Sequence, residues 1–322
     1  MTVETVDLAI PQEEQATTLQ MTGVESALRK LVLSASVMLG MGYFMVNVPL
    51  VILLTYFWTV IPISSQANIA AITGRMMFLF ASAVLAVLGL VAVFGGVKFF
   101  EGGSTKSLGF LGVLLAAIYI LCLGIGSTLM LPEGSLEGLL LLVAPVLAVF
   151  GAATYMVPQR RFKLAGSIAG IIGGVLLAYV VLNLHVWELV FDWGVSFGGP
   201  FMAVKALEAI TVTLIPVAAF INAVVGDNIE GKPLAHAAAL TVAFVYGIGV
   251  LVGSLVLSMS LWDLVWKSPW AGPLNTLPGL VVSTVVFWSA SLFLVDIGGI
   301  MLVITACLGF VFVAREFMQF QS

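Results

Sequence analysis

Six titratable side chains stand out in a chain that is otherwise poor in charge: His185, Glu188, Asp192, Lys205, Glu208 and Asp296. The first three are spaced i, i+3 and i+7, which puts them on one face if a helix runs through them. Trp187 and Trp193 flank them, and Lys205 and Glu208 follow at i and i+3, close enough to pair. A quinol site needs an apolar slot, an aromatic wall and a few titratable groups near water. Histidine and carboxylates are the side chains that burial can tune for such proton transfers. The rival reading is structural: Lys205 and Glu208 neutralise each other beneath an ordinary polar loop.

Asp296 stands alone inside a long apolar run, beside Gly298 and Gly299. A charge at membrane depth costs at least about 2.5 kcal/mol, so this carboxyl needs a partner or a purpose. It either hydrogen-bonds to a neighbouring helix or serves as an intramembrane proton or ligand site.

Several chemistries have no residues to carry them. There is no phosphate-binding loop and no His-Glu-x-x-His zinc pattern. An intramembrane aspartyl protease needs two aspartates within spans, and Asp296 has no companion. A bis-histidine haem needs two histidines at similar depth, whereas His185 and His236 fall at opposite membrane faces. No catalytic residue, no metal site and no tightly bound cofactor is expected. Quinone is the one cofactor that the residues suit.

The elements that position these residues are membrane helices. Of 322 residues, 61% are apolar and 9% charged, against roughly 25% charged in a soluble domain. Such a chain lacks the polar side chains to cover a water-facing surface. Its apolar runs, near 31–62, 76–98, 108–131, 136–157, 164–186, 201–225, 234–260 and 278–313, each suffice for the roughly 20 residues that a crossing takes. An all-α bundle of about eight transmembrane helices follows. The first and last runs exceed one upright crossing, so they are expected as long or kinked helices, with Pro49 and Gly298-Gly299 as bends. Cys122 and Cys307 lie inside apolar runs and read as small buried hydrophobes.

Orientation follows from the basic residues. With the N-terminus inside, Arg29, Lys30, Lys98, Lys106, Arg160, Arg161, Lys163, Lys232 and Arg315 are cytoplasmic, and only Arg75, Lys205 and Lys267 are not. Both termini are therefore expected in the cytoplasm. Residues 1–28 carry Glu4, Asp7, Glu13, Glu14 and Glu25 without a single base and read as a mobile acidic tail. Residues 29–322 then form one transmembrane domain. Thr22-Gly-Val-Glu25 has the spacing of a helix-capping box.

Gly166, Gly170, Gly174 and Ala178 recur every four residues, a pattern that lets helix backbones approach in lipid. The contact is within the chain or with another subunit. Six of the seven tryptophans fall at outer span ends or in outer loops, as an aromatic belt or a docking surface. In Trp262-Asp-Leu-Val-Trp266-Lys267 the spacing predicts a short helix lying in the outer interface.

In number and length of spans the chain resembles the quinone-binding membrane anchors of the polysulfide-reductase type. The resemblance rests on no shared motif, and no residue is carried over from it. Because the spans are poor in polar groups, the function expected is a non-catalytic subunit anchoring a multi-subunit respiratory or electron-transfer complex in a prokaryotic cell membrane. The partners expected are lipid, other subunits and an extracytoplasmic protein at the Trp-rich loops, but not nucleic acid. The alternative is a secondary transporter.

Overall fold

A computed structural model describes residues 12–60, 69–130, 136–155, 159–182, 199–225, 231–267 and 278–321. They form eight helices and no strand: α1 (Gln12–Val60), α2 (Ile69–Phe100), α3 (Lys106–Met130), α4 (Leu136–Tyr155), α5 (Arg160–Leu182), α6 (Gly199–Val225), α7 (Lys232–Lys267) and α8 (Pro278–Gln321). Six of them contain stretches long and apolar enough to cross a membrane: Ser26–Pro49, Leu79–Phe100, Lys106–Gly126, Arg160–Tyr179, Lys232–Met259 and Val286–Arg315. Shorter apolar stretches occupy Gly138–Gly151 and Thr213–Val225. The chain is thus an all-α protein that fits a multi-pass membrane architecture.

Each helix packs chiefly on its two chain neighbours, and α8 returns to α1. The eight therefore close a ring. Neighbours run antiparallel where their contacts fix the register. Gly298 meets Leu39 while Gly42 meets Val295 across the α1–α8 seam, and Gly247 meets Gly299 while Leu240 meets Gly309 across α7–α8.

Glycine sets the closeness of the seams. Lipid tails give no hydrophobic drive for helices to associate, so contact must come from packing, and missing side chains let backbones meet. A Cβ on Gly89 would stand 2.5 Å from the Gly40 carbonyl oxygen, and one on Gly299 would stand 3.0 Å from that of Gly247. Ser and Thr hydroxyls in the apolar helices bond to carbonyls of their own preceding turn. Ser167 donates to Lys163, Ser291 to Phe287 and Thr305 to Met301. That satisfies them where no water can.

Two helix ends show how the backbone is finished outside the apolar stretch. At the end of α2, Gly102 adopts φ 76°. Its amide and that of Gly103 return to the carbonyls of Phe99 and Lys98, at 3.1 and 2.9 Å. Glycine alone takes this left-handed turn without penalty. At the end of α6, Arg160 from the start of α5 donates Nε to Ala223 O at 3.0 Å and Nη2 to Val224 O at 2.6 Å. Those carbonyls belong to the last turn, which has no partner within its own helix, and a cation there also complements the helix dipole.

Three local expectations are corrected. Helix α1 starts at Gln12, so Thr22 and Glu25 sit inside it and cannot form a capping box. No Pro precedes them to stop the helix from extending backward, apart from Pro11 at its very start. Helix α7 runs unbroken through Trp262 to Lys267, where a separate interfacial helix was expected. Residues 254–267 contain neither Gly nor Pro, so nothing interrupts the helix. Of the two cysteines, both free, Cys122 is buried but Cys307 is exposed on α8.

Candidate functional site

Within the ring, two polar arrangements lie among apolar side chains. The first is on the α7–α8 seam. Asp296 is held by Ser254, whose hydroxyl reaches its Oδ1. Ser254 is buried and also lies 2.8 Å from Val250 O and 3.1 Å from Leu251 O. One hydroxyl proton faces three acceptors, so it serves them alternately unless the carboxyl contributes a proton of its own. Chemically this is a carboxyl held by a buried hydroxyl among apolar side chains. Among the described residues Ser254 is the only hydrogen-bond partner of Asp296. The glycines beside Asp296 explain how α8 fits: Gly298 lies against Leu39 of α1, and Gly299 against Gly247 and Leu251 of α7. Two turns earlier on the Asp296 face is Ser289. Its Oγ and the neighbouring Trp288 Nε1 are buried without a partner among the described residues.

The second arrangement joins helices that are not ring neighbours. Tyr43 of α1 and Tyr246 of α7 share a hydrogen bond, hydroxyl to hydroxyl, at 2.6 Å. Asn47, buried, donates Nδ2 to the Tyr43 carbonyl at 2.8 Å. Helix α8 lies between α1 and α7 in the ring. The two tyrosines line a cavity of about 210 Å³ together with Val32, Ala35, Ser36, Leu39, Leu88, Ala92 and Leu302. Those residues come from α2, α1, α8 and α7, four consecutive members of the ring. A space touching all four lies on their concave side, facing the ring interior.

The residues singled out from the sequence fare unequally. His185, Glu188 and Asp192 lie outside the described residues, as do Trp187, Trp193 and Trp270. Lys205 and Glu208 are on α6, one turn apart, after its start at Gly199. In the fifth helix, Gly166 faces Thr154 and Gly151 of α4, while Gly170 stands against Pro216 of α6, its Cβ position 2.9 Å from that ring. Gly174 is buried and Ala178 half-buried. Sequence reasoning missed Ser254, Tyr43, Tyr246 and the Arg160 cap. For the tyrosines a weak signal existed, since a buried phenol usually finds a partner for its hydroxyl. Among the described residues no cluster of three or more His, Cys, Asp or Glu could hold a metal ion.

Compared with protein-family models, with curated proteins and with solved structures, the chain matches none.

Proposed function

We propose that this chain is a non-catalytic membrane subunit that anchors a multi-subunit complex of electron-transfer type in a prokaryotic cell membrane. The observation that carries the reading is the length of α1. Among the described residues its apolar span starts at Ser26, yet the helix begins at Gln12. Fourteen residues, about 21 Å of helix, therefore project beyond the apolar stretch. They contain Glu13, Glu14 and Glu25 and no base. An acidic helical extension ahead of that span gives a peripheral subunit something to hold.

In this reading the chain crosses the membrane eight times, with both termini in the cytoplasm. The nine-to-three basic asymmetry supports that orientation. An extracytoplasmic partner docks at the Trp-rich outer loops. Quinone contacts His185, Glu188, Asp192, Lys205 and Glu208 at the outer face. Glu208→Gln and His185→Ala then lower turnover of the intact complex without loss of assembly. If Lys205 and Glu208 are only a structural pair, Glu208→Gln destabilises the chain, and removing both charges restores it.

One observation favours a second reading. The Asp296–Ser254 pair is the kind of intramembrane carboxyl that proton-coupled transporters use. Purification in mild detergent through a C-terminal tag separates the two. A subunit brings stoichiometric partners that mass spectrometry identifies, whereas a transporter elutes as a monomer or homo-oligomer.

A further inference from the structure

The cavity among α1, α2, α7 and α8 has a shape and chemistry of its own. Its α1 residues, Val32, Ala35, Ser36, Leu39 and Tyr43, follow one helical stripe. From Val32 to Tyr43 that stripe runs about 16 Å along the axis. The cavity is thus an elongated slot rather than a sphere. Its volume of about 210 Å³ exceeds that of an engineered apolar cavity of roughly 150 Å³ that takes up a benzene ring. Apart from Ser36, the only side-chain oxygens in its lining are the hydrogen-bonded hydroxyls of Tyr43 and Tyr246. Ser36 itself packs against Gly96.

We propose that this slot binds an elongated apolar molecule carrying one oxygen-bearing head, a lipid-soluble quinone or a prenyl alcohol, with the head on the Tyr43–Tyr246 hydroxyls and the tail along Val32–Leu39. A carbonyl or hydroxyl oxygen entering between the two phenols exchanges their mutual bond for bonds to itself. No buried polar group is then left unmatched, which is the condition for the exchange to be favourable. The hydrocarbon tail meets Val32, Leu39, Leu88, Ala92 and Leu302, and leaves lipid for an equally apolar wall. The head therefore supplies selectivity. The slot is separate from the outer-face quinone residues and from α1's acidic extension, so this proposal stands whether or not partners dock there.

Native mass spectrometry of the full chain in detergent tests it, with three probes: a decyl-substituted benzoquinone, farnesol and decylbenzene. The wild-type chain is expected to hold one equivalent of an oxygen-bearing probe and markedly less decylbenzene. Binding of the quinone alone, of farnesol alone or of both fulfils the proposal and identifies the source of the head. Ala92→Phe fills the slot and lowers occupancy at least tenfold, and Ala35→Leu blocks it from α1 should the first variant not fold. The Tyr43→Phe/Tyr246→Phe double variant keeps the volume and removes both hydroxyls. It weakens the oxygen-bearing probe by about two- to tenfold for each hydrogen bond lost and leaves decylbenzene unchanged. Unaltered binding in a folded slot-filling variant, or equal binding of decylbenzene and the oxygen-bearing probes by the wild type, overturns it.

Discussion

At the scale of single residues, the energetic weight lies on a few polar atoms in apolar surroundings. Asp296 depends on Ser254, and a buried polar group that loses its partner costs about 1–3 kcal/mol. Ser254→Ala is therefore expected to lower the unfolding temperature in detergent. Asp296→Asn should cost less, because an amide can still exchange a hydrogen bond with the serine. In the combined Ser254→Ala/Asp296→Leu variant both polar groups are gone, and much of the loss should return. Equal melting of Ser254→Ala and the wild type would show that the pair carries no stability. None of this was visible in the sequence beyond Asp296 itself. A serine or tyrosine in an apolar run looks like any other, and its partner lies 42 residues away for Ser254 and 203 away for Tyr43.

At the scale of the helices, the sequence was informative because hydropathy is local. The expected run at 108–131 became α3 (Lys106–Met130), and that at 201–225 became α6 (Gly199–Val225). Ends were less legible, as at the start of α1, where the helix reaches back to Gln12 directly after Pro11 and past the Thr22–Glu25 pattern. Which helices touch was not legible, since apolar faces look alike and only the fold decides the seam. Glycines of α2 make a direct test of those seams. Gly89 lies on the Gly40 backbone, whereas nothing comes within 4 Å of a Cβ placed on Gly95. Gly89→Leu should force α1 and α2 apart and cost more than about 2 kcal/mol, as overpacking does. Gly95→Ala, on the same helix, should raise stability by about 0.5–1 kcal/mol through helix propensity alone. Thermal unfolding of the two variants in one detergent reads both signs, and a like response would contradict the α1–α2 contact.

For the molecule as a whole, the ring, its inward slot and the N-terminal end of α1 are three separate features to which the proposals above assign roles. The basic residues lead us to propose which side of the membrane each faces. In a background of Cys122→Ala and Cys307→Ala, a cysteine at Ser135 should label with an impermeant thiol reagent added outside, and one at Ser104 should not. Labelling of position 104 and sparing of 135 would invert the topology. Anchoring of other subunits through α1 is the proposal on which the functional reading rests. Its most direct test compares the tagged full chain with one lacking residues 12–24, each purified in mild detergent and analysed by quantitative mass spectrometry. Stoichiometric partner subunits are expected with the full chain and are expected to be lost from the truncated one, which stays folded in the membrane. No stoichiometric partner on the full chain, or undiminished partners on the truncated chain, would contradict it.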